Sequence, residues 1–146
     1  MGLDVGDARI GAAVSDDTRL IARPLAIVKR ADGDPAGRII AMIRELRAGA
    51  VVVGFPLNMD GTRGLQARKT ESFVSRLREM ASAAADIEFI LWDERLSSRE
   101  AQRIVLSSGA KKSRRARHHD DIAAAVILQS YLNHLRASPP RPDSCL

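Results

Sequence analysis

Ala50 to Val53 reads AVVV, and Ile87 to Trp92 reads IEFILW. Neither run alternates apolar with polar residues as a half-exposed strand does. Near-continuous apolar runs of this length belong to parallel strands buried on both faces. A chain with two such strands must supply helices for both faces of one sheet. The segments between them have helical spacing. Asp34-Pro35 offers an N-cap and a proline at the first helical position, Ile39, Ile43 and Leu46 recur on one face, and Gly49 reads as the stop. From Leu65 to about Ala84, Phe73, Leu77 and Met80 mark a second helix, and Ser97 with Glu100 forms a capping-box pattern for a third, from about Ser98 to Leu106. A last helix begins near Asp120 and carries Ala124, Ile127, Tyr131 and Leu135.

Ahead of these lie three short strands. Residues 2–5, Arg9 to Ser15 and Pro24 to Lys29 are separated by turn residues, among them Asp16-Asp17, and read as an antiparallel meander. Only Met1 precedes Gly2, so in this sequence the strand carrying Asp4 has almost nothing in front of it. The order strand, strand, strand, helix, strand, helix, strand, helix, helix predicts an α/β chain with a mixed five-stranded sheet and helices on both faces. Residues 1–136 read as a single domain and the proline-rich 137–146 as a disordered tail.

The formal charge is +5, and the five basic residues Lys111, Lys112, Arg114, Arg115 and Arg117 equal that whole excess. They lie in SSGAKKSRRARHH, residues 107–119, which contains no acid and reads as a mobile loop. A concentrated basic stretch on an otherwise balanced chain suits the phosphates of a nucleic acid; a solvated linker is the plainer alternative. His118 and His119 read as surface residues of that loop. The few aromatic residues, Phe55, Phe73, Phe89, Trp92 and Tyr131, mostly fall in apolar runs. Recognition of nucleic acid would then rest on backbone and shape rather than on an exposed aromatic platform. The single cysteine, Cys145, excludes an intrachain disulfide, and no stretch has the length of a membrane span. A cytoplasmic protein with no membrane partner is expected.

Chemistry in open α/β sheets gathers at the carboxyl ends of the parallel strands. Asp4 ends the first strand beside Gly6, Asp93-Glu94 end the fifth, and Asp120-Asp121 open the last helix. Carboxylates that converge repel one another unless a hard divalent cation neutralises them. Two such cations activate a water and stabilise the leaving oxygen in phosphodiester cleavage. Each acid also has a structural alternative: Asp120 as a helix cap, Asp93 as a partner for Arg95, and Asp7 as a turn residue.

GLDVGDARIGAAVSD, VVVGFPLNMDGT, DERLSS and DDIAAAVILQSYL occur in this order. Together they resemble the YqgF/RuvX family of bacterial proteins, over roughly residues 2–135. The resemblance implies an RNase H-like fold and a metal-dependent nuclease acting on precursor ribosomal RNA or on branched DNA. It places the catalytic, metal-binding acids at Asp4, Glu94 and Asp120, with Asp121 excluded by the spacing to Ala123-Ala124. It implies Mg²⁺ or Mn²⁺, two ions, as cofactor. Asn58, Arg95 and the basic residues Lys111, Lys112, Arg114, Arg115 and Arg117 become candidate substrate contacts. Ribosomal particles and a homodimer are candidate partners.

Overall fold

A computed structural model describes residues 1–81, 86–108 and 119–138, with the side chains of 119–121 outside that description. The strands β1 (Gly2–Val5), β2 (Arg9–Ser15), β3 (Ala22–Lys29), β4 (Ala50–Phe55) and β5 (Glu88–Asp93) form one sheet in the order β3-β2-β1-β4-β5. The meander β1–β2–β3 is antiparallel, and β1, β4 and β5 run parallel. The described residues also form the α-helices α1 (Pro35–Leu46), α2 (Leu65–Ala81), α3 (Arg99–Ser107) and α4 (His119–Ala137). This is the α/β architecture expected of the sequence.

Strand alternation sorts the side chains into two cores. Leu3, Val5, Ile10, Val51 and Val53 face α1 and α2, where Ile39, Ile43, Phe73 and Leu77 cover them. Ala13, Val52, Ile90 and Trp92 face α3 and α4, against Val105, Ala124, Ile127 and Leu128. The second face is lined with small residues. A Cβ on Gly2 would sit 2.8 Å from the Leu128 Cβ and 2.9 Å from the Ala124 carbonyl oxygen. Helix α4 therefore lies directly on the backbone of β1.

Several local expectations shift. Helix α1 ends before Gly49: Arg47 takes the left-handed conformation at φ 52° and its N–H bonds to the Ile43 and Arg44 carbonyls. The Asp34 side chain makes no capping bond and lies 3.6 Å from Arg76 instead. Leu46 and Leu135 are half exposed rather than core, since each lies at the last turn of its helix, past the sheet. Ser98, not Ser97, caps α3 by accepting the Ala101 N–H. Ser97 is occupied one residue earlier, donating its N–H to the Glu94 carbonyl. Strand β3 starts two residues before Pro24, and its bulge opposite Ala12/Ala13 leaves Leu25 exposed. The tail 139–146, including Cys145, and the basic stretch 109–118 lie outside the described residues. Among those described, no helix is long and apolar enough to cross a membrane.

One buried polar side chain ties α4 to the meander. Gln129 Oε1 accepts the Ala22 N–H at 2.8 Å, and its Nε2 donates to the Leu20 carbonyl at 2.9 Å and to Asn133 Oδ1 at 3.1 Å. Gln129→Leu keeps the bulk and strands the buried Ala22 donor. We expect it to lower unfolding free energy by about 1–3 kcal/mol in urea titrations. An unchanged midpoint would show that this bond contributes nothing.

Candidate active site

The carboxyl ends of β1, β4 and β5 meet at one edge of the sheet. Leu3 lies opposite Val53, which sets Asp4 level with Gly54 on the neighbouring strand. Leu3 and Val5 are spent on the α1–α2 core, so Asp4 between them projects to the opposite face, the one covered by α4. Glu94 follows β5 directly, as the first residue of a 3₁₀ turn Glu94–Leu96. Its carboxylate folds back over β4: a Cβ on Gly54 would stand 2.6 Å from Glu94 Oε1. Bare backbone at Gly54 is what allows Glu94 to lie there.

Asp4 and Glu94 thus open onto one cleft of about 320 Å³, walled by Gln102 of α3 and by Ile122, Val126 and Ile127 of α4. Burial, and then the negative charges of Asp4 and Asp93, push the Glu94 carboxyl up from 4.5 to about 6. Asp93 does not enter the cleft chemistry in the same way. Its carboxylate accepts from Arg95 Nε at 3.0 and 3.1 Å and from Nη2 at 2.7 Å, and these bonds hold its pKa below the usual carboxylate value. The pairing of Asp93 with Arg95 is the structural alternative open to it in the sequence.

Asp120 stands in the first turn of α4, which covers this face of the sheet; its side chain lies outside the described residues. Among the described residues, no three His, Cys, Asp or Glu side chains cluster closely enough to hold a metal ion. The two carboxylates that do meet offer only hard oxygen donors and repel each other, a donor set that matches Mg²⁺ or Mn²⁺ rather than a softer metal. Asn58 sits in the loop after β4, its Nδ2 donating to Thr62 Oγ1 at 2.9 Å. Asp7, on the turn after β1, pairs with Lys69 of α2 at 3.1 Å.

Three supports of the site were not legible from motifs. Ser130 of α4 donates to the Leu96 carbonyl at 2.9 Å and accepts from Trp92 Nε1 at 3.3 Å, which pins the turn carrying Glu94. Gln66 of α2 donates to the Val5 carbonyl at 3.0 Å, and Arg30 Nε to the Gly6 carbonyl at 2.9 Å, which pin the end of β1 behind Asp4. Gly6 itself packs against the Arg9 carbonyl oxygen, 2.7 Å from where its Cβ would be. Each of these polar side chains reads, in the sequence, as an ordinary helix or turn residue.

With this geometry in view, comparison with known proteins is decisive. A sequence model of the family described as "RuvX: Holliday junction resolvase" matches residues 1–134. The chain belongs to the RuvX family. It is 43% identical over 135 residues to a protein of Thermoanaerobacter pseudethanolicus named "Putative pre-16S rRNA nuclease", covering 91% of this chain and 94% of that one. A protein of the same name in Syntrophus aciditrophicus is 36% identical over 146 residues, covering 99% and 95%. Among solved structures, RuvC of T. thermophilus in complex with a Holliday junction substrate matches with a TM-score of 0.62 at 18% identity, covering 94% of each chain. That likeness establishes the shared RNase H-like fold.

The raised pKa of Glu94 has a signed consequence for stability. Between 4.5 and about 6 the folded chain binds the extra proton, so stability falls as pH rises through that window and the cost is complete above it. In metal-free buffer, Glu94→Gln should therefore gain on wild type in thermal midpoint from pH 4.5 to pH 7. A pH-independent difference would show that the two carboxylates do not share a buried field.

Proposed function

We propose that this RuvX-family chain is a divalent-metal-dependent endonuclease that hydrolyses phosphodiester bonds of structured nucleic acid, most specifically at the 5′ end of precursor 16S ribosomal RNA. The observation that carries the reading is the convergence of Asp4 and Glu94 in one cleft at the carboxyl edge of the sheet, with Glu94 raised to about 6. Asp4, Glu94 and Asp120 would hold Mg²⁺ or Mn²⁺. Two such ions would supply activation of the attacking water and stabilisation of the leaving oxygen.

The chain's own residues do the rest. Asp4 is held on the α4 face by the short strand β1 and by the bonds to Val5 and Gly6 behind it. Glu94 is held against Gly54 by the Ser130-pinned turn, so its charge sits where a cation would offset the repulsion from Asp4. The apolar wall of Ile122, Val126 and Ile127 keeps bulk water from one side of the cleft and strengthens the electrostatics inside it. Arg95, Asn58 and the basic residues Lys111, Lys112, Arg114, Arg115 and Arg117 are the proposed substrate contacts. The basic five join α3 to α4 in sequence, and both helices wall the cleft. They would bind phosphates with strong salt dependence and little sequence preference.

Asp4→Asn removes one acidic donor without changing size. With Mg²⁺ or Mn²⁺ present, we expect it to cleave a precursor 16S fragment at least about 100-fold more slowly than wild type, the scale of losing one electrostatic stabiliser of a transition state. Substrate binding should be retained, and chelator should stop the wild type. Equal rates for the two proteins would end the metal-site reading. Paired cuts in a four-way DNA junction, with the rRNA fragment left intact, would instead favour a resolvase working as a homodimer, the activity in the family's description.

The close contact at Gly54 offers a second handle. Gly54→Ala places a methyl group against both the Ile127 Cδ1 and the Glu94 carboxylate, and activity should fall by about 10-fold or more even though Glu94 is intact. Wild-type kcat in this variant would mean that Glu94 acts from another position.

A further inference from the structure

The loop after β4 is built more firmly than a connection between a strand and a helix requires. Leu57 and Arg63 pair as an antiparallel bridge. Asn58 N–H donates to the Thr62 carbonyl at 2.9 Å, Gly61 N–H to the Asn58 carbonyl at 2.9 Å, and the Asp60 carboxylate accepts from the Thr62 N–H and hydroxyl at 2.9 and 2.6 Å. Gly61 completes the turn at φ 84°, a conformation that L side chains rarely adopt. Every polar side chain of residues 58–62 is turned inward to hold this small hairpin. The one long side chain left over is Met59, which is 94% exposed at the tip.

An isolated apolar residue on a surface is ordinary. A braced hairpin that presents one is different, because its rigidity removes the ordering cost of a later contact. The hairpin is also tied to the candidate site: Arg95 Nη1 donates to the Met59 carbonyl at 3.4 Å, while the same guanidinium grips Asp93 beside Glu94. Leu96, the next residue, is 57% exposed. One long bond thus links the hairpin tip to the arginine that pairs with Asp93 beside the Glu94 turn.

We propose that Met59 is a substrate-positioning residue whose side chain packs against the face of an unstacked base next to the bond to be cut. The inference rests on the nuclease reading above. The chemistry suits it: an unbranched, polarizable thioether adapts to a flat π surface, and apolar wedges of this kind hold open base steps in bent or branched nucleic acids. The contact is indifferent to base identity and gives the enzyme a way to select unpaired or strained positions over continuous duplex.

The test uses the full chain in Ca²⁺ or EDTA, titrated onto two probes: a precursor 16S fragment and a four-way DNA junction. Each carries 2-aminopurine beside the expected cleavage position. Wild type and Met59→Leu should shift the 2-aminopurine fluorescence on at least one probe, and Met59→Ala should not. Thermal midpoints should be alike, since the side chain is exposed. In Mn²⁺, Met59→Ala should cleave that probe about 10-fold or more slowly, the scale of one lost stacking contact, and a mismatch at the labelled base should restore much of the rate. Met59→Ala with wild-type fluorescence shift and wild-type cleavage would overturn the proposal, as would a wild type that leaves both labels unperturbed. A wild type that shifts the label in a Met59-dependent way but never cleaves would sink the nuclease reading alone.

Discussion

The close seating of α4 on glycine backbone sets the geometry of this molecule. Gly2 leaves no room for a Cβ between β1 and the Ala124–Leu128 stretch of the helix, and Gly54 leaves none between β4 and Ile127 or Glu94. A side chain on Gly2 would press on the helix backbone itself, and one on Gly54 would displace the ends of the Ile127 and Glu94 side chains. Either change would disturb the wall of Ile122, Val126 and Ile127 beside Asp4 and Glu94. Two glycines on adjacent strands thus cost the sheet some intrinsic stability and gain a cleft at its carboxyl edge.

That cleft holds a conflict by construction. Two carboxylates in one half-buried place raise the proton affinity of Glu94 and oppose folding at neutral pH. The structure resists the conflict with bonds that seem remote from it: Ser130 to Leu96, Gln66 to Val5, Arg30 to Gly6. Each fixes backbone next to an acid rather than the acid itself. Strain of this sort is expected where function needs charges that folding would separate, and a cation bound there would relieve it.

Much of the framework was legible. The apolar run Val51–Val53 demanded cover on both faces, and α1–α2 and α3–α4 supply it; Phe89–Trp92 is only partly covered, because β5 is the edge strand of the sheet. Boundaries slipped where backbone geometry overrode a familiar signal. Arg47 adopted the left-handed turn that Gly49 seemed placed to make, and Ser98 took the cap because Ser97 was already closing the Glu94 turn. Of the candidate site, the sequence makes only the acids conspicuous. Asp4, Glu94 and Asp120 stand at element ends, where a carboxylate is conspicuous; Gly54, Ser130 and Gln66 look unremarkable until a distant partner is brought against them.

By itself, then, the sequence determined which acids stand at element ends and that a mixed sheet would carry them, because periodicity and turn chemistry are local properties. It also put all of the excess positive charge in one segment. Only the tertiary structure decided that Glu94 folds back onto Gly54 beside Asp4, and that Met59, at the tip of its loop, is turned almost fully to solvent. Those outcomes depend on strand register and on the approach of elements far apart in the chain, and no stretch of sequence encodes either alone.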